Sequence, residues 1–596
     1  MLRPTRSWAL VPPGPIPPGL ASTARRLAVS PRLLGVLAAR GHTEPEALEA
    51  FLSEPLAGLH DPGLLPDAGV FRERLERARN RGERVLVYGD FDADGLTALA
   101  VMVLALRGFG LAVEPYAPSR LADGHGLSVP AVERAVAERC SVIVTVDCGT
   151  SSAAEIALAA SHGIDVLVTD HHHVPEEAPG GAALMNPQRA DSRYPDRRLT
   201  GAGIALKAAQ LLLDDRPGGH RAWLALTDLA AIGTISDVAP LVGENRSIVQ
   251  LGLEQLRTRP RAGLAALLAA AGIAPARVDA ETIAYTIAPR LNAAGRVGEV
   301  TLAARLLLAD DAAEAADLAA QLESANRTRR DLVAAALVEA RAAVGDPGEM
   351  PAVVVAGPWP VGLIGLVAGR LAEEHRRPAV VFSTNAEPWR GSARSPVGAL
   401  DLAQAFAATA RHFVRYGGHP EAAGCDMLPD RLEPFREEFL MLAAGAPAVA
   451  PEPALRIDLA VPAGEVDYAL YRELERLQPC GAGNPAPQLA VLGATVTRVK
   501  RVANGHLQLT VSKGREVVDV IAFGRADLAD QVAPGDRLDM VAQLASRTYG
   551  GFESLQLELI DAASAGTVAA LAPVAAPAGM APYAGRVIGA PTVAPS

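Results

Sequence analysis

Cysteine is scarce in this chain, which has four residues at scattered positions, Cys140, Cys148, Cys425 and Cys480. Disulfide-stabilised folds and cysteine-rich zinc sites need more cysteines, or cysteines at short regular spacings. The sequence therefore excludes a disulfide framework and a zinc knuckle, and we expect reduced thiols in a cytoplasm.

Long apolar runs are also missing. Glycine, proline or charge interrupts every hydrophobic stretch before it reaches the roughly 18 residues that a membrane helix needs. The N-terminus, MLRPTRSWALVPPGPIPPG, has basic residues but lacks the apolar core of a secretory signal peptide. We therefore expect a cytoplasmic protein that has no membrane partner.

Lysine is nearly absent, since Lys207, Lys500 and Lys513 are the only lysines and arginine supplies the remaining positive charge. Alanine is abundant as well, so genome composition is the first explanation, and an arginine needs positional support before it indicates phosphate binding. The formal net charge of −11 argues weakly against a nucleic-acid partner. Clustered acidic residues that bind cations would make this total more negative, so the local distribution of charge matters more than the total.

The length and apolar content are sufficient for several domains, with 596 residues of which 49% are hydrophobic. From about residue 71 the chain alternates predicted strands with predicted helices; the strands are RVLVYG, SVIVTVD, DVLVTD and AALMNP. Such alternation predicts a parallel α/β sheet. Residues 303–345 have no proline or glycine before Gly345, which predicts one or two long connector helices, and AVVVAG begins a second α/β unit.

The segment from about residue 488 to residue 562 has short alternating strands, which are typical of a small β-barrel. We therefore predict an α/β multidomain fold: a parallel-sheet domain, long connector helices, a second α/β domain and a C-terminal β-barrel. The predicted divisions are an N-terminal region (1–70), a first α/β domain (71–302), connector helices (303–345), a second α/β domain (346–450), a barrel domain (451–565) and a disordered tail (566–596).

Acidic and imidazole side chains follow three successive predicted strands. The motifs are GDFDADG with Asp90, Asp92 and Asp94, then VDCG with Asp147, and then TDHHH with Asp170, His171, His172 and His173. Because ligands bind beyond the carboxyl ends of parallel strands, these side chains should meet at one edge of the sheet. A fourth segment, GTISDVAP, offers Asp237 after a predicted glycine turn.

Neighbouring aspartates repel one another, and divalent cations among them would make the arrangement stable. Carboxylates with a few imidazoles fit Mn²⁺ or Mg²⁺, and this many carboxylates indicate two ions. Two such ions usually activate a water and stabilise the leaving oxygen at phosphorus. Taken alone, DFDADG could be a calcium loop or a solvated turn, and DHHH could be a surface turn; their convergence favours metal catalysis.

These motifs resemble a known family. GDFDADG, VDCG, TDHHH and GTISDVAP are similar to the four successive motifs of the DHH phosphoesterases, and GSARS and GGHPEAAG are similar to their associated DHHA1 domain. Further segments resemble the bacterial members that degrade single-stranded DNA, namely NPQRADSRYPDRRLTGAGIALK, IAPRLNAAGRVG, GLIGLVAGRL and LQPCGAGNPAPQL. The resemblance covers about residues 70–562 and implies a DHH catalytic domain, a DHHA1 domain and an OB-fold in the place of the predicted barrel.

The resemblance also implies roles for individual residues. The catalytic metal ligands would be Asp90, Asp92, Asp94, Asp147, His171 and Asp237. Asp147 would bridge the ions, His172 would contact the scissile phosphate or a metal, and Asp170 would orient a histidine. His173 would be peripheral.

A second set of residues would bind phosphate and DNA: Arg120, Arg290, Asn292, Ser392, Arg394, Gly418 and His419. For any single arginine the alternative is a surface ion pair. The resemblance favours a phosphate contact at Arg290, Arg394 and His419, and does so less at Arg120. Two positions depart from the family pattern, His125 in place of the usual tyrosine and Cys480 in place of the usual phenylalanine; neither is a predicted ligand.

The implied function is a metal-dependent exonuclease that degrades single-stranded DNA 5′→3′ to mononucleotides in DNA repair and recombination. The strand would thread between the DHH and DHHA1 domains, and the barrel would hold it by charge and stacking. The barrel candidates are Lys500, Arg501, Lys513 and Arg515, with Phe523 and Tyr549 as stacking residues. The resemblance also suggests a single-strand-binding protein and a helicase as partners, and we expect a monomer.

Two other functions stay open. A small-substrate DHH phosphodiesterase would cleave cyclic dinucleotides or short RNAs, although the predicted barrel counts against it. A DNA-binding protein with a decayed site would not turn over substrate, although the aspartates and histidines at every motif position count against that. No residue pattern in the sequence distinguishes DNA from RNA.

Overall fold

The computed structural model describes residues 2–12, 14–119, 126–175, 179–345, 348, 350–446, 454–514, 516–549 and 552–568. These residues form two compact units. One contains the chain up to Gly58 together with residues 454–568, and the other runs from Leu59 to residue 446. None of the described helices combines the length and the apolar character that a bilayer crossing requires. The domain limits given above stay predictions.

The N-terminal segment shares its apolar core with the barrel. Its elements are β1 (Trp8–Leu10), α1 (Pro18–Arg26), α2 (Pro31–Ala39) and α3 (Pro45–Leu52). Each of these helices begins with a proline. The N–H groups of a first turn have no acceptor within the helix, so proline, which lacks an N–H, is tolerated there. Leu33 and Leu37 of α2 are fully buried in the same cluster as Leu489 and Leu507 of the barrel.

A five-stranded sheet forms the first α/β domain. Its elements are α4 (Ala68–Arg81), β2 (Arg84–Gly89), α5 (Ala93–Phe109), β3 (Ala112–Tyr116), α6 (Val129–Ala137), β4 (Cys140–Val146), α7 (Ala153–Ser161), β5 (Asp165–Thr169) and β6 (Ala182–Met185). The strands lie in the order β3-β2-β4-β5-β6 and all their pairings are parallel, which confirms the predicted parallel sheet. The chain leaves β2 toward one edge and β4 toward the other, so a ligand-binding switch point lies between the carboxyl ends of β2 and β4.

The sequence pattern does not indicate β3. Its residues, AVEPY, include Glu114 and Pro115 and lack the continuous apolar character of the other strands. Proline cannot donate a ladder hydrogen bond, and β3 tolerates it because this strand lies at the edge of the sheet.

A layer of helices follows the sheet: α8 (Gly201–Leu213), α9 (Gly219–Leu224), α10 (Thr227–Ser236), α11 (Gly243–Thr258), α12 (Ala262–Ala270), α13 (Ala280–Thr282), α14 (Ala288–Val297) and α15 (Val300–Leu308), with a π-helical turn at Ile283–Ile287. Gly233 lies inside α10, so the predicted glycine turn before Asp237 is wrong. A Cβ at position 233 would lie 2.3 Å from Asp94 Oδ1 and 2.4 Å from Ala202 Cβ. Glycine is therefore needed for the close approach of α10 to α5 and α8.

The predicted helical connector is confirmed. Residues 303–308 belong to the end of α15, and the rest is almost entirely one continuous helix, α16 (Ala312–Val344), of 33 residues. Its N-terminal part buries Leu318 and Leu322 in the core of the first α/β domain. Its C-terminal part buries Leu337 and Ala340 in a cluster with the strands of the second domain. One helix thus belongs to two hydrophobic cores.

The second α/β domain has a mixed sheet. Its elements are β7 (Val353–Gly357), α17 (Val361–His375), β8 (Ala379–Ser383), β9 (Trp389–Arg394), α18 (Leu402–Ala408), β10 (Phe413–Gly418), β11 (Ala422–Met427) and α19 (Leu432–Ala444). The strand order is β10-β11-β9-β8-β7, in which β7 and β8 are parallel and the other neighbours are antiparallel. Phe382, Phe406, Phe435 and Phe439 fill the core of this domain.

The predicted C-terminal β-barrel is confirmed. Its elements are β12 (Leu455–Ile457), β13 (Leu459–Pro462), α20 (Tyr468–Glu475), β14 (Leu489–Val502), β15 (His506–Lys513), β16 (Glu516–Ala522), β17 (Arg537–Tyr549) and β18 (Phe552–Ser564). Strands β14, β15, β16, β18 and β17 pair in that order, and β17 pairs again with β14, which closes the barrel. Val568, in the first part of the predicted disordered tail, is buried near Trp8, and residues 569–596 lie outside the described chain.

We predict that Gly233→Ala destabilises the larger unit. The added methyl group would overlap atoms of two packed helices, and overpacking of this kind costs about 1–3 kcal/mol. Urea denaturation followed by circular dichroism measures the effect. Gly69→Ala in α4 is the matched control, because a Cβ there meets nothing within 4 Å. Equal stability of the two variants would contradict the packing role of Gly233.

Candidate active site

The aspartate motif after β2 lies where the first turns of two helices converge. Asp92 caps α5 by accepting a hydrogen bond from Gly95 N at 3.0 Å. Asp94, in the first turn of α5, accepts from Gly201 N at 2.8 Å and from Ala202 N at 3.0 Å, both at the start of α8. These N–H groups, at the positive ends of two helices, partly offset the charge of the carboxylates.

Asp147 and His171 bring the second and third motifs against the first. Asp147 follows β4 with a φ of +60°, a conformation that is unusual for a residue other than glycine. Its Oδ1 atom lies 3.0 Å from His171 Nε2. Within the described part of the chain, this buried oxygen nevertheless has no hydrogen-bond partner. An unpartnered carboxylate oxygen beside an imidazole nitrogen is the arrangement expected of two ligands of a metal ion.

The ligand atoms of the predicted metal residues form two groups of three. One group is Asp90, Asp92 and Asp147, and the other is Asp94, His171 and Asp237; within each group the atoms lie within 4.8 Å of one another. Together the groups contain all the predicted metal ligands. Because Asp147 approaches His171, it connects the two groups. Oxygen-rich sites with an imidazole suit Mn²⁺ and Mg²⁺, so these residues fit such ions.

Burial and mutual repulsion disfavour the ionised form of the carboxylates in this cluster. Burial, followed by the charge of Asp92, raises the pKa of Asp94 to about 7. Burial and the charge of Asp94 raise the pKa of Asp147 well above its ordinary value. Divalent cations would stabilise the ionised carboxylates. Burial also lowers the pKa of His171 to about 3, which keeps its imidazole neutral and able to coordinate a metal.

Asp170 organises the DHHH loop. Its Oδ1 accepts from His171 N at 2.7 Å and from His172 N at 3.1 Å, and it lies 2.7 Å from His172 Nδ1. Burial favours neutral His172, but the charge and the hydrogen bond of Asp170 outweigh this effect and raise the pKa of His172 to about 9. His173, by contrast, is exposed. The histidine that Asp170 orients by its side chain is therefore His172.

Asn186 is a supporting residue that the motif analysis misses. Its side chain is fully buried after β6; Nδ2 donates to His172 O at 2.8 Å and to Thr150 Oγ1 at 3.0 Å. Thr150 N in turn donates to Asp170 Oδ2 at 2.9 Å. The available signal was its position, because a polar residue after the fourth predicted strand lies at the same sheet edge as the three motifs.

Helix α14 carries two predicted phosphate-binding residues, and both have partners within the fold. Asn292 Oδ1 accepts from Ala93 N at 2.9 Å, so it supports the aspartate motif directly. Arg290 Nε donates to Glu323 Oε2 of α16 at 2.7 Å, and its Nη1 donates to Thr286 O at 2.9 Å. Arg290 therefore forms an ion pair, and its side chain is only 13% exposed.

Ser392 and Arg394 lie together on β9. Arg394 Nη1 lies 3.2 Å from Ser392 Oγ, to which it donates. A Cβ at Gly365 of α17 would lie 3.2 Å from Ser392 Oγ and 3.3 Å from Arg394 Nη2. Glycine at this position of α17 therefore leaves room for both polar side chains.

Gly418 and His419 lie at the turn between β10 and β11. His419 N donates to Ala422 O at 2.7 Å, and Ala422 is the sheet partner of Arg394, so His419 and Arg394 lie at the same end of the sheet. Burial lowers the pKa of His419, and the positive charge of His172 lowers it further. This turn of the second domain therefore lies within electrostatic reach of the DHHH loop.

Other predicted residues belong to the other compact unit or fall outside the described residues. Arg120, His125 and Arg515 lie outside the described residues, as do the side chains of Lys513 and Tyr549. On the barrel, Lys500 and Arg501 are exposed, and Arg501 pairs with Asp530 at 2.6 Å. Phe523 is 53% exposed and packs edge-on against His506. The barrel candidates thus belong to the other compact unit.

Known families match three parts of the chain. The DHH family N-terminal domain matches residues 84–234, the DHHA1 domain matches residues 350–444, and the RecJ OB domain matches residues 457–561. The single-stranded-DNA-specific exonuclease RecJ of Bacillus subtilis (strain 168) is 32% identical over 552 residues, which cover 91% of this chain and 69% of that relative. The chain belongs to the RecJ family.

Solved RecJ structures from Thermus thermophilus agree with this membership. The structure in complex with Mn²⁺ matches with a TM-score of 0.76 and 31% identity, covering 94% of this chain and 79% of that chain. The structure in complex with Mg²⁺ matches with a TM-score of 0.72 and 29% identity, covering 93% and 78%. The predicted DHH, DHHA1 and OB architecture and the exonuclease family are confirmed. The assignment of ligands to individual residues stays a prediction.

We predict that Asp170→Asn lowers kcat about 10- to 100-fold, the usual cost of losing a carboxylate that positions active-site groups. The amide is isosteric, but it cannot accept at every contact that the carboxylate makes with Thr150, His171 and His172. Steady-state assays on single-stranded DNA measure the change. His173→Ala is the control, because His173 is exposed in the same loop, and it should change kcat less than about twofold. Comparable losses in the two variants would argue against a specific role for Asp170.

Proposed function

We propose that this RecJ-family chain hydrolyses single-stranded DNA from the 5′ end and releases mononucleotides with the help of two divalent ions. Family membership makes the chain a single-stranded-DNA-specific exonuclease. The observation that carries the two-ion proposal is the pair of three-residue ligand groups that meet at Asp147 and His171, while the 5′ polarity rests on the family resemblance.

Asp90, Asp92 and Asp147 would hold one ion, and Asp94, His171 and Asp237 would hold the other. Such ions, when bound, supply water activation and stabilisation of the leaving oxygen at phosphorus. The chain contributes rigidity, since Asp94 is fixed by two backbone N–H groups of α8 and Asp92 is fixed as the cap of α5. The ligand oxygens therefore need little reorganisation before reaction.

His172 is proposed to contact the scissile phosphate. Asp170 engages Nδ1 of His172 at 2.7 Å, which directs the opposite ring nitrogen, Nε2, away from Asp170. The His172 ring nitrogen also lies within 4.8 Å of ligand atoms of Asp147 and His171. From this position Nε2 can donate to a phosphate oxygen that lies over the cluster.

The second domain is proposed to bind the 5′ phosphate through Ser392, Arg394, Gly418 and His419. Arg394 supplies a planar guanidinium, the adjoining Ser392 hydroxyl supplies a further donor, and the His419 imidazole belongs to the turn at the same end of the sheet. Arg290 and Asn292 would complete the path: Glu323 fixes the guanidinium of Arg290, while Asn292 supports the aspartate motif. We include Arg120 in this set from the motif resemblance.

Helix α16 would form one wall of the path that the strand takes. The barrel would hold the incoming strand by charge and stacking, with Lys500, Arg501 and Phe523 as contacts. We further propose a monomeric, cytoplasmic enzyme that acts in DNA repair and recombination together with a single-strand-binding protein and a helicase. The resemblance to RecJ is the ground for the repair role and for these two partners.

The decisive experiment uses long single-stranded DNA labelled at the 5′ end or at the 3′ end, with a blunt duplex for comparison. We expect immediate release of labelled mononucleotide from 5′-labelled single strands only. EDTA should abolish the activity, and excess Mn²⁺ or Mg²⁺ should restore it. Asp147→Asn keeps the shape of the side chain and tolerates the left-handed backbone, and it should reduce kcat at least about 10³-fold.

The same experiment separates the alternatives. Cleavage of dinucleotides without degradation of long strands would favour the small-substrate phosphodiesterase. Binding of single strands without any metal-dependent turnover would favour a non-catalytic DNA-binding protein. Release of label from the 3′ end first would contradict the proposed polarity.

The phosphate-binding role of Arg394 predicts a dependence on the 5′ end. Lysine keeps the charge of arginine but loses its paired donors, so Arg394→Lys should raise KM about tenfold for 5′-phosphorylated strands. It should change KM for 5′-hydroxyl strands much less. Arg370→Lys, an exposed residue of α17 paired with Glu373, is the matched control and should leave both values unchanged. An equal increase in KM for 5′-phosphorylated and 5′-hydroxyl strands would contradict the assignment.

A further inference from the structure

The residue that follows Asp237 has an unusual backbone conformation. Helix α10 ends with hydrogen bonds from Val238 N to Ile235 O at 3.1 Å and from Ala239 N to Thr234 O at 3.2 Å. This pattern of bonds places residue 238 in the left-handed region, and Val238 has a φ of +56°. Glycine is the usual residue at this position, and a β-branched side chain there is a true outlier.

Other helices of the chain end in the same way, and most of them use glycine. Among the described residues five helices show the same two hydrogen bonds with glycine in the left-handed position; they are α2 with Gly41, α4 with Gly82, α5 with Gly110, α7 with Gly163 and α12 with Gly272. Helix α1 shows these bonds with Ala28 in that position. The non-glycine residues with positive φ in the described chain are Ala28, Asp67, Arg139, Asp147, Val238, Arg376 and Asn504. Among these, Val238 is the only β-branched residue.

The fold gains little from the Val238 side chain. It is 72% exposed, whereas the next residue, Ala239, is 7% exposed and packs inward. An apolar, strained and exposed side chain therefore directly follows Asp237, a member of the second ligand group. Backbone strain that the packing does not repay is found mainly at functional sites.

We propose that Val238 is a specificity-determining residue that packs against the carbon surface of the nucleotide beside the scissile phosphate. A phosphate bound at the ligand group of Asp237 would bring its attached deoxyribose and base close to residue 238. An aliphatic side chain recognises the carbon faces of a sugar or base rather than phosphate oxygens. Valine is also stiff about χ1, so it loses little conformational freedom when it makes such a contact. This inference rests on the proposed exonuclease function.

The test compares Val238→Gly with Val238→Ile. Glycine removes the contact and suits the backbone, so the melting temperature should not fall, and Mn²⁺ affinity measured by calorimetry without DNA should be unchanged. KM for single-stranded DNA should rise about three- to tenfold, the loss expected for removing one partly buried aliphatic contact, while kcat stays within about twofold. Val238→Ile should retain the wild-type KM.

Modified substrates identify the contacted surface. If Val238 packs on the base, an abasic nucleotide beside the scissile bond should raise KM for the wild type but not for Val238→Gly. If it packs on the deoxyribose, a ribonucleotide at that position should penalise the wild type more than Val238→Gly. Either result supports the inference.

Three results would separate failure of this inference from failure of the function. A wild-type KM in Val238→Gly, with exonuclease activity intact, would overturn the contact and leave the function standing. Loss of Mn²⁺ binding in Val238→Gly would also overturn it, because Val238 would then act by holding Asp237. Absence of exonuclease activity in the wild type would remove the basis of both.

Discussion

Repulsion among buried carboxylates is the constraint on which the rest of this structure depends. Asp94 and Asp147 are nearly inaccessible to water, and the charge of Asp94 adds to the cost of ionising Asp147. The fold supplies partial compensation through the first turns of α5 and α8, whose N–H groups point at Asp92 and Asp94. Full compensation requires cations. The tight helix packing, including the glycine at position 233, keeps the carboxylates close enough together to share them.

The DNA substrate is also negatively charged, so its approach to the site raises a second problem of like-charge repulsion. A DNA phosphate would be repelled by the aspartate cluster unless positive charge lies between them. Arg394, which is positively charged, and His419, which can form hydrogen bonds, lie on the separate sheet of the second domain. Burial and the charge of His172 lower the pKa of His419 in the turn of that sheet. In the proposed mechanism the acidic metal ligands belong to the parallel sheet, and the residues that donate hydrogen bonds to phosphate belong to the mixed sheet.

The sequence is sufficient to predict the domains and the clustering of the metal residues, because strand ends in a parallel sheet are constrained to one edge. It is not sufficient for features that depend on packing between distant segments. Gly233 looks like a turn residue until its neighbours in α5 and α8 are known. Asn186 supports the DHHH loop across two strands, and β1 pairs with β12 from the other end of the chain. Arg290 could be assigned to phosphate by resemblance, but its pairing with Glu323 required the position of α16.

In the continuous helix α16, any change in the separation of its two buried parts also changes the rotation of one part relative to the other. Each residue of an α-helix adds about 1.5 Å of length and about 100° of rotation. Inserting or deleting one residue between the two buried parts of α16 would therefore rotate the sheet of the second α/β domain around the helix axis as well as shift it. Only changes of about seven residues nearly restore the original facing, and these alter the separation by about 10 Å. The spacing of the two α/β domains can consequently change during evolution only in coarse increments, which makes this segment resistant to length variation even where its side chains are free to change.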